Sequence, residues 1–226
     1  MIQRIIKKIN RTLAYSQGKR NAKKLGITFQ EPTYIYKTPL NENSIVVDVG
    51  CCSDPDLSIF FMEAFDSFAY GVDPTRKHFK ELKGISGKYE KFKHLPFAIA
   101  EKDQQMTFFE SKDSDSGSLL NNHINVQKDR IESYEVEAIT VNTLLKKINA
   151  ERVDFLKLDL EGAEFALLEK TQANDFESVD QLYIEFHHHA IPEKTFADTE
   201  KLVKKIEGFG FSSFTLEDAN YLFFRD

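Results

Sequence analysis

VDFLKLDLEGAEFALLE, residues 153–169, changes its hydrophobic period halfway along. Val153, Phe155, Leu156 and Leu158 read as a short, mostly apolar strand, whereas from Glu161 onward Ala163, Ala166 and Leu167 fall into helical spacing. The break is Asp159-Leu160-Glu161-Gly162, two carboxylates two residues apart followed by a glycine. In an open α/β sheet, ligands bind in the crevice outside the carboxyl ends of the strands. A strand that ends in acids therefore delivers them to a site. Glu161 has a plainer alternative, as an acid in a first helical turn favoured by the helix dipole.

Outward from this switch the same alternation repeats. Ser44 to Val49 forms a strand ending at Gly50, and the following helix has Asp54 as its expected cap and Pro55 at its first position. A second strand runs from Phe68 through Val72 to Asp73-Pro74, with a polar helix around residues 76–82 after it. Phe92 to Ile99 reads as the third strand, and Met106 to Glu110 as one formed by local pairing. SKDSDSGS, residues 111–118, is loop-like. Val136, Ile139 and Val141 suggest a strand, with a helix over 142–149. Leu182 to His187 gives another strand, and a helix near 195–207 is closed by Gly208. Phe209–Thr215 and Tyr221–Phe224 read as a terminal antiparallel hairpin. Strands alternating with helices predict an α/β, doubly wound, mostly parallel sheet of seven strands, with that hairpin at its C-terminal end.

At 226 residues the chain is expected to form one main domain over 31–226, with residues 1–30 as a basic appendage. Hydrophobic content of 41% and charged content of 29% are those of a soluble globular protein. The net charge of −6 argues against nucleic acid as a partner. That charge is unevenly spread: residues 1–30 carry eight Lys/Arg and no acid, so 22 basic residues face all 36 acidic ones in the rest. The two cysteines, Cys51 and Cys52, are adjacent and match no zinc spacing, which fits a reduced, cytoplasmic setting. No apolar run reaches the length of a membrane span, and the N-terminus lacks the apolar core of a signal peptide.

Within the appendage, Ile2, Ile5, Ile6, Ile9 and Leu13 share one helical stripe, with Arg4, Lys7, Lys8 and Arg11 off it. Burying such side chains yields about 1.5–3 kcal/mol each, more than the ~1 kcal/mol per basic residue gained at an anionic surface. The stripe is therefore expected to pack on the protein's own body or in a homo-oligomer, with peripheral contact at the inner face of the membrane as the alternative.

Two further strand-end acids complete the chemical picture. Asp48-Val49-Gly50 closes the first strand, and Asp73 closes the second, 25 residues later. An acid at that separation commonly binds ribose hydroxyls. The loop between them, GCCSDPD at 50–56, selects among the possible nucleosides. A pyrophosphate needs several glycines and an uncluttered helix start, but here Gly50 stands alone and Asp54 and Asp56 repel phosphate. S-adenosylmethionine carries a sulfonium and an ammonium and no phosphate, so these acids favour it over a dinucleotide.

With VVDVGCC, YGVDPTRKHFKEL, LPFAIAEKDQQMTFF, SGSLL, ITVNTLLKK, KLDLEGAE, LYIEFH and the closing GFGFSSF…YLFFRD, the chain resembles the FkbM family of S-adenosylmethionine-dependent methyltransferases from about residue 43 to the end. The resemblance implies a Rossmann-like class I methyltransferase sheet and transfer to a hydroxyl, often of a sugar, glycan or natural product. It implies that Asp48 and Gly50 belong to the cofactor loop, with Gly50 and Cys51 against the methionine part. Asp73 matches the ribose ligand, Phe97 and Ala98 the adenine-side wall, and Asp159 an acid near the sulfonium. Glu161 and His187 would face the acceptor as candidate catalytic bases. Two departures stand out: Ser53-Asp54-Pro55 replaces a further glycine, and Asn142 or Thr143 replaces a customary acid.

His187-His188-His189, with Glu185, Asp159 and Glu161, permits a divalent metal to be imagined, but a polar strand-end cluster is the plainer reading and no metal is expected. The acceptor is expected to be a small molecule or glycan. The competing functions are a dinucleotide-linked sugar oxidoreductase and a catalytically inactive cofactor-binding module of a membrane or glycan-assembly complex.

Overall fold

A computed structural model of the chain describes residues 15–30, 33–37 and 39–225. The amphipathic stripe of residues 2–13 lies outside them. Helical residues 15–25 (α1) lead into strands β1 (Ile27–Gln30) and β2 (Thr33–Tyr36), which pair antiparallel across the expected boundary at residue 30. The first long sheet strand is β3 (Ile45–Val49), followed by α2 (Asp56–Phe65), β4 (Phe68–Val72), α3 (Phe79–Lys88) and β5 (Phe92–Leu95). Next come β6 (Ala98–Ile99), β7 (Gln104–Ser111), β8 (Gly117–Ser118), α4 (Ile124–Lys128), β9 (Ile131–Ile139) and α5 (Val141–Lys147). The chain closes with β10 (Phe155–Asp159), α6 (Glu164–Lys170), β11 (Gln181–Glu185), α7 (Phe196–Glu207), β12 (Ser212–Phe214) and β13 (Asn220–Phe224).

The central sheet is mixed, in the order β12-β13-β11-β10-β3-β4-β5. Strands β5, β4, β3, β10 and β11 run parallel, while β13 is antiparallel to both β11 and β12. Strand alternation sorts the core into two faces. Val47, Leu156 and Leu182 pack with Leu144 of α5, Phe165 of α6 and Leu202 of α7. Their neighbours Val46, Phe155 and Tyr183 point the other way, onto Ala22 of α1, Phe61 of α2 and the β1–β2 pair. That pair was not anticipated. Its strands are only four residues each, and Tyr36 N–H docks on the Gln181 side chain at 2.7 Å, a partner no local pattern reveals.

Three expectations need correction. The strand expected over 92–99 is two: β5 ends at Leu95, Pro96 follows with no N–H to offer the ladder, and β6 joins a second sheet of order β6-β9-β7-β8. Pro55, not Asp54, occupies the N-cap of α2, and no side chain caps it. The helix after the 153–159 strand begins at Glu164, so Glu161 is outside it, in a turn with φ of +48°. The departures at Asn142 and Thr143 join loops, since Asn142 donates to Asp175 and Thr143 donates to Asp103.

Candidate functional site

Gly50, Asp73 and Asp159 sit at the carboxyl ends of the neighbouring strands β3, β4 and β10. They border a cleft of about 540 Å³, open mouth included, whose other walls include Phe97, Ala98, Phe108, Leu119 and Glu161. The size falls within the ~300–1,000 Å³ of small-molecule sites. At Gly50 a side chain is impossible: φ is +74°, and a Cβ would lie 2.1 Å from the Asp159 carbonyl oxygen. The bare glycine lets the β3 loop cross the end of β10 and leaves backbone facing the cleft.

Asp73 is 3% exposed and fixed by its own loop. One oxygen accepts from Thr75 N–H at 2.7 Å and the other from Cys52 N–H at 2.9 Å, with His78 Nδ1 at 3.4 Å. Burial opposes its charge, but the hydrogen bonds from His78 and Thr75 prevail and hold the carboxyl below its ordinary range. A carboxylate offers about four acceptor directions, so Asp73 keeps capacity for a ligand hydroxyl.

Asp48 and Cys51 do not line the cleft. Asp48 is 1% exposed, beneath the site; Ser58 Oγ donates to its Oδ2 at 3.1 Å, and Lys157 Nζ lies 3.6 Å from Oδ1. The side chain of Cys51 packs in a core cluster with Met62, Leu82 and Phe92, and it is Cys52 that faces the cleft. The placement expected for Cys51 thus passes to its neighbour, because Gly50 and Cys52 both adopt positive φ and turn the loop. Cys52 is exposed, yet desolvation by the surrounding protein first, then the charges of Asp73 and Asp159, push its thiol up to about 12. Iodoacetamide should therefore label Cys52 at pH 8 roughly 10³-fold more slowly than a free cysteine, whose pKa is about 8.5. The rate should climb about tenfold per pH unit from 8 to 10 as the thiolate fraction grows. Mass-spectrometric labelling rates check this; fast labelling at pH 8 would refute the assigned environment.

Asp159 stands between two cations. Its Oδ2 is 3.1 Å from Lys157 Nζ and its Oδ1 is 3.6 Å from His187 Nε2. Lys157 is buried, which disfavours its charge, but Asp159 and Asp48 outweigh that and raise its pKa. Glu161 approaches His123 Nε2 at 3.0 Å and His187 Nε2 at 3.7 Å. The His123 approach is oblique, leaving that nitrogen without a well-formed hydrogen bond. Burial raises the Glu161 pKa, yet the histidines lower it further, so the carboxylate is held below its ordinary range. The positive φ at Glu161, a conformation that costs a non-glycine residue about 1–3 kcal/mol, turns its side chain toward this cluster and the cleft.

His187 is 5% exposed, does not border the cleft, and follows the end of β11. Burial disfavours its charge, but the Glu164 carboxylate 3.3 Å from Nδ1, then Asp159 and Glu161, raise its pKa to about 10. A raised pKa favours the protonated ring, which weighs against the expected role of His187 as a base. His188 and His189 lie in a turn, not on the strand, and His188 Nδ1 pairs with Thr199 Oγ1 at 3.1 Å.

Three site residues escaped the sequence reading. Lys157 carried a signal, as the sole charge between Phe155 and Leu158 of a buried strand. Glu164 resembled any acid in a first turn, yet it is 0% exposed and accepts N–H bonds from Gly162 at 2.9 Å and His187 at 2.7 Å. It ties the loop after β10 to the loop after β11. His123 gave no local signal: its Nδ1 accepts from Asn125 N–H at the start of α4, which directs Nε2 to Glu161.

Residues 27–221 match the family model described as the methyltransferase FkbM domain. No curated protein matches the chain significantly. Among solved structures, methyltransferase FkbM from Methylobacillus flagellatus KT superposes with a TM-score of 0.52 at 12% identity, over 83% of this chain and 44% of that one. This chain thus spans less than half the length of that protein. The fibrillarin pre-rRNA processing protein of Methanococcus jannaschii gives 0.51 at 11% identity, over 89% of this chain and 71% of that one. At these identities the likeness is one of fold: an α/β fold with a central mixed sheet, shared with class I methyltransferases.

Proposed function

Because the chain belongs to the FkbM methyltransferase family, we propose that it transfers a methyl group from S-adenosylmethionine to a hydroxyl of a sugar, glycan or natural product. S-adenosylmethionine is the cofactor of this family. The residues present fit it. The observation that carries the reading is the pair of acids at the ends of the parallel strands on either side of β3, Asp73 and Asp159, extended by Glu161, around a glycine whose Cβ would strike Asp159. Walls of this charge suit a sulfonium and an ammonium and repel a pyrophosphate, which weighs against the dinucleotide alternative.

Asp73 would hold ribose hydroxyls, Phe97 and Ala98 would wall the base, and backbone at Gly50 with the carboxylate of Asp159 would face the methionine end. When bound, the cofactor supplies an electrophilic methyl group. The chain's own contribution is positioning, worth up to ~7–11 kcal/mol when two reactants are aligned, and proton removal. Glu161 is the group suited to accept the acceptor's proton, being ionised and at the cleft. Its lowered pKa makes it a weak base, sufficient because a hydroxyl becomes strongly acidic only as its oxygen forms the new bond. His187 and His123 keep that carboxylate charged and oriented. Asp48 supports from below, by holding Lys157.

Among the described residues no helix is long and apolar enough to cross a membrane. We place the reaction in the cytoplasm, in keeping with two free cysteines. Residues 1–25 remain our candidate for homo-oligomer packing or peripheral membrane contact, and we expect no nucleic-acid partner from the acidic balance.

The test is a thermal shift with S-adenosylhomocysteine, then a screen of sugar acceptors with methyl-labelled cofactor. A ligand present at 100 times its Kd adds about 2.7 kcal/mol of stability, and Asp73→Asn should lose most of that shift. Stabilisation by NAD and none by S-adenosylhomocysteine would favour the oxidoreductase. Binding with no methylated hydroxyl product would leave the inactive module.

A further inference from the structure

At the ends of β10 and β11, Asp159 and Glu185 are register partners on adjacent parallel strands, and His187 follows two residues later. One ligand atom from each of Asp159, Glu185 and His187 can be chosen so that all three lie within 4.8 Å of one another. His187 Nε2 lies 3.6 Å from Asp159, 3.7 Å from Glu161 and 4.0 Å from Glu185, yet hydrogen-bonds to none of them. It belongs to a histidine only 5% exposed and is aimed into a group of carboxylates at spacings too long for hydrogen bonds. Ligands about 2.0–2.2 Å from a common ion are separated from each other by distances of this order.

From this geometry we propose that Asp159, Glu185 and His187 form a divalent-cation site beside the cofactor cleft. Two carboxylates and an imidazole suit an ion of the Mn²⁺ or Zn²⁺ kind better than Mg²⁺ or Ca²⁺, which favour all-oxygen shells. The other side of the imidazole supports the assignment. Its Nδ1 is 3.3 Å from Glu164 Oε1, without a well-formed hydrogen bond but beside the kind of carboxylate that orients metal-bound imidazoles. Glu164 is itself held by two backbone N–H groups, so this carboxylate is fixed beside the ring.

Electrostatics points the same way. Asp159, Glu161, Glu164 and Glu185 crowd one imidazole, and Lys157 is already engaged by Asp48 and by the Oδ2 of Asp159. The other oxygen of Asp159 faces His187, so Lys157 leaves one ligand atom available. The ion would then sit next to Glu161 at the cleft, where it can hold the oxygen of an incoming acceptor. That role, unlike the binding itself, rests on the methyltransferase reading.

The experiment is a Mn²⁺ titration of the full chain after EDTA treatment, read by the electron-paramagnetic-resonance signal of free Mn²⁺, with Zn²⁺ as competitor. One Mn²⁺ per chain is expected, displaced by Zn²⁺. Glu164→Gln should weaken binding by the ~10–100-fold typical of outer-shell changes. Glu185→Gln and His187→Ala should weaken it more, with S-adenosylhomocysteine affinity kept in Glu185→Gln as evidence of an intact cleft. Absence of saturable Mn²⁺ or Zn²⁺ binding to the wild type overturns the proposal, as does binding that survives unchanged in Glu185→Gln and His187→Ala. Failure to bind S-adenosylhomocysteine, with the metal still bound, would instead count against the methyltransferase reading.

Discussion

Lys157→Met is expected to destabilise the protein by about 3–5 kcal/mol, the cost of breaking a buried ion pair by removing one partner. At ~2–4 °C per kcal/mol for a domain of this size, the melting temperature should fall by roughly 6–20 °C. Methionine fills the volume of the stem, so the loss is electrostatic. Asp48, buried at 1% exposure, is left, among the described residues, with a hydrogen bond from Ser58 as its partner, and its Oδ1 already lacks a hydrogen-bond donor there. Adding Asp48→Asn removes the stranded charge and should recover most of the loss.

The pH dependence has a definite sign. Burial raises the Asp48 pKa in the folded state, with Lys157 opposing the rise. A carboxyl with a raised folded pKa favours folding most below its unfolded value and loses that contribution as pH climbs through the folded pKa. Without Lys157 the rise grows, so the deficit of Lys157→Met should shrink between pH 7 and pH 5. Urea unfolding at both pH values measures it; a deficit under about 1 kcal/mol at pH 7 would show that the pair is not structural.

Glu161→Gln is expected to cut turnover by about 10²–10⁴, the usual worth of a positioned proton acceptor. The amide keeps the size of the side chain and removes the charge. Affinity for S-adenosylhomocysteine should change little, because Glu161 stands on the acceptor side of the cleft in this reading. The measurement is single-turnover methyl transfer under saturating cofactor, once an acceptor is found. Turnover equal to wild type would remove Glu161 from the mechanism and leave its left-handed backbone without a chemical reason.

Much of the molecule was legible in its residues, for reasons that are local. A stretch such as Ile45–Val49 or Phe155–Leu158, mostly apolar, short and bounded by turn residues, reads as a buried strand, and an acid or glycine at its end lands at the mouth of the sheet. Asp73, Asp159, Glu161 and Gly50 were therefore placed at the cleft by strand position alone. Strand ends are set by hydrogen-bonding partners elsewhere. The break at Pro96 and the second sheet depend on β9, some forty residues downstream, which is why the third strand was read as too long.

Local pattern was enough for the alternation of the main strands and helices, the acids at the strand ends and the family, because hydrophobic period and turn residues act within a few positions of one another. Tertiary structure alone decided which side chain of the Cys51-Cys52 pair faces the cleft, since that turns on backbone angles of a loop pressed against Asp159. It also decided the charge of the site. Lys157, His123, Glu164 and His187 come from four separate segments, and the contacts of each are set by distances that no spacing along the chain encodes. Asp159 and Glu161 began as two acids in one short stretch; the fold gives one to a lysine and the other to a histidine.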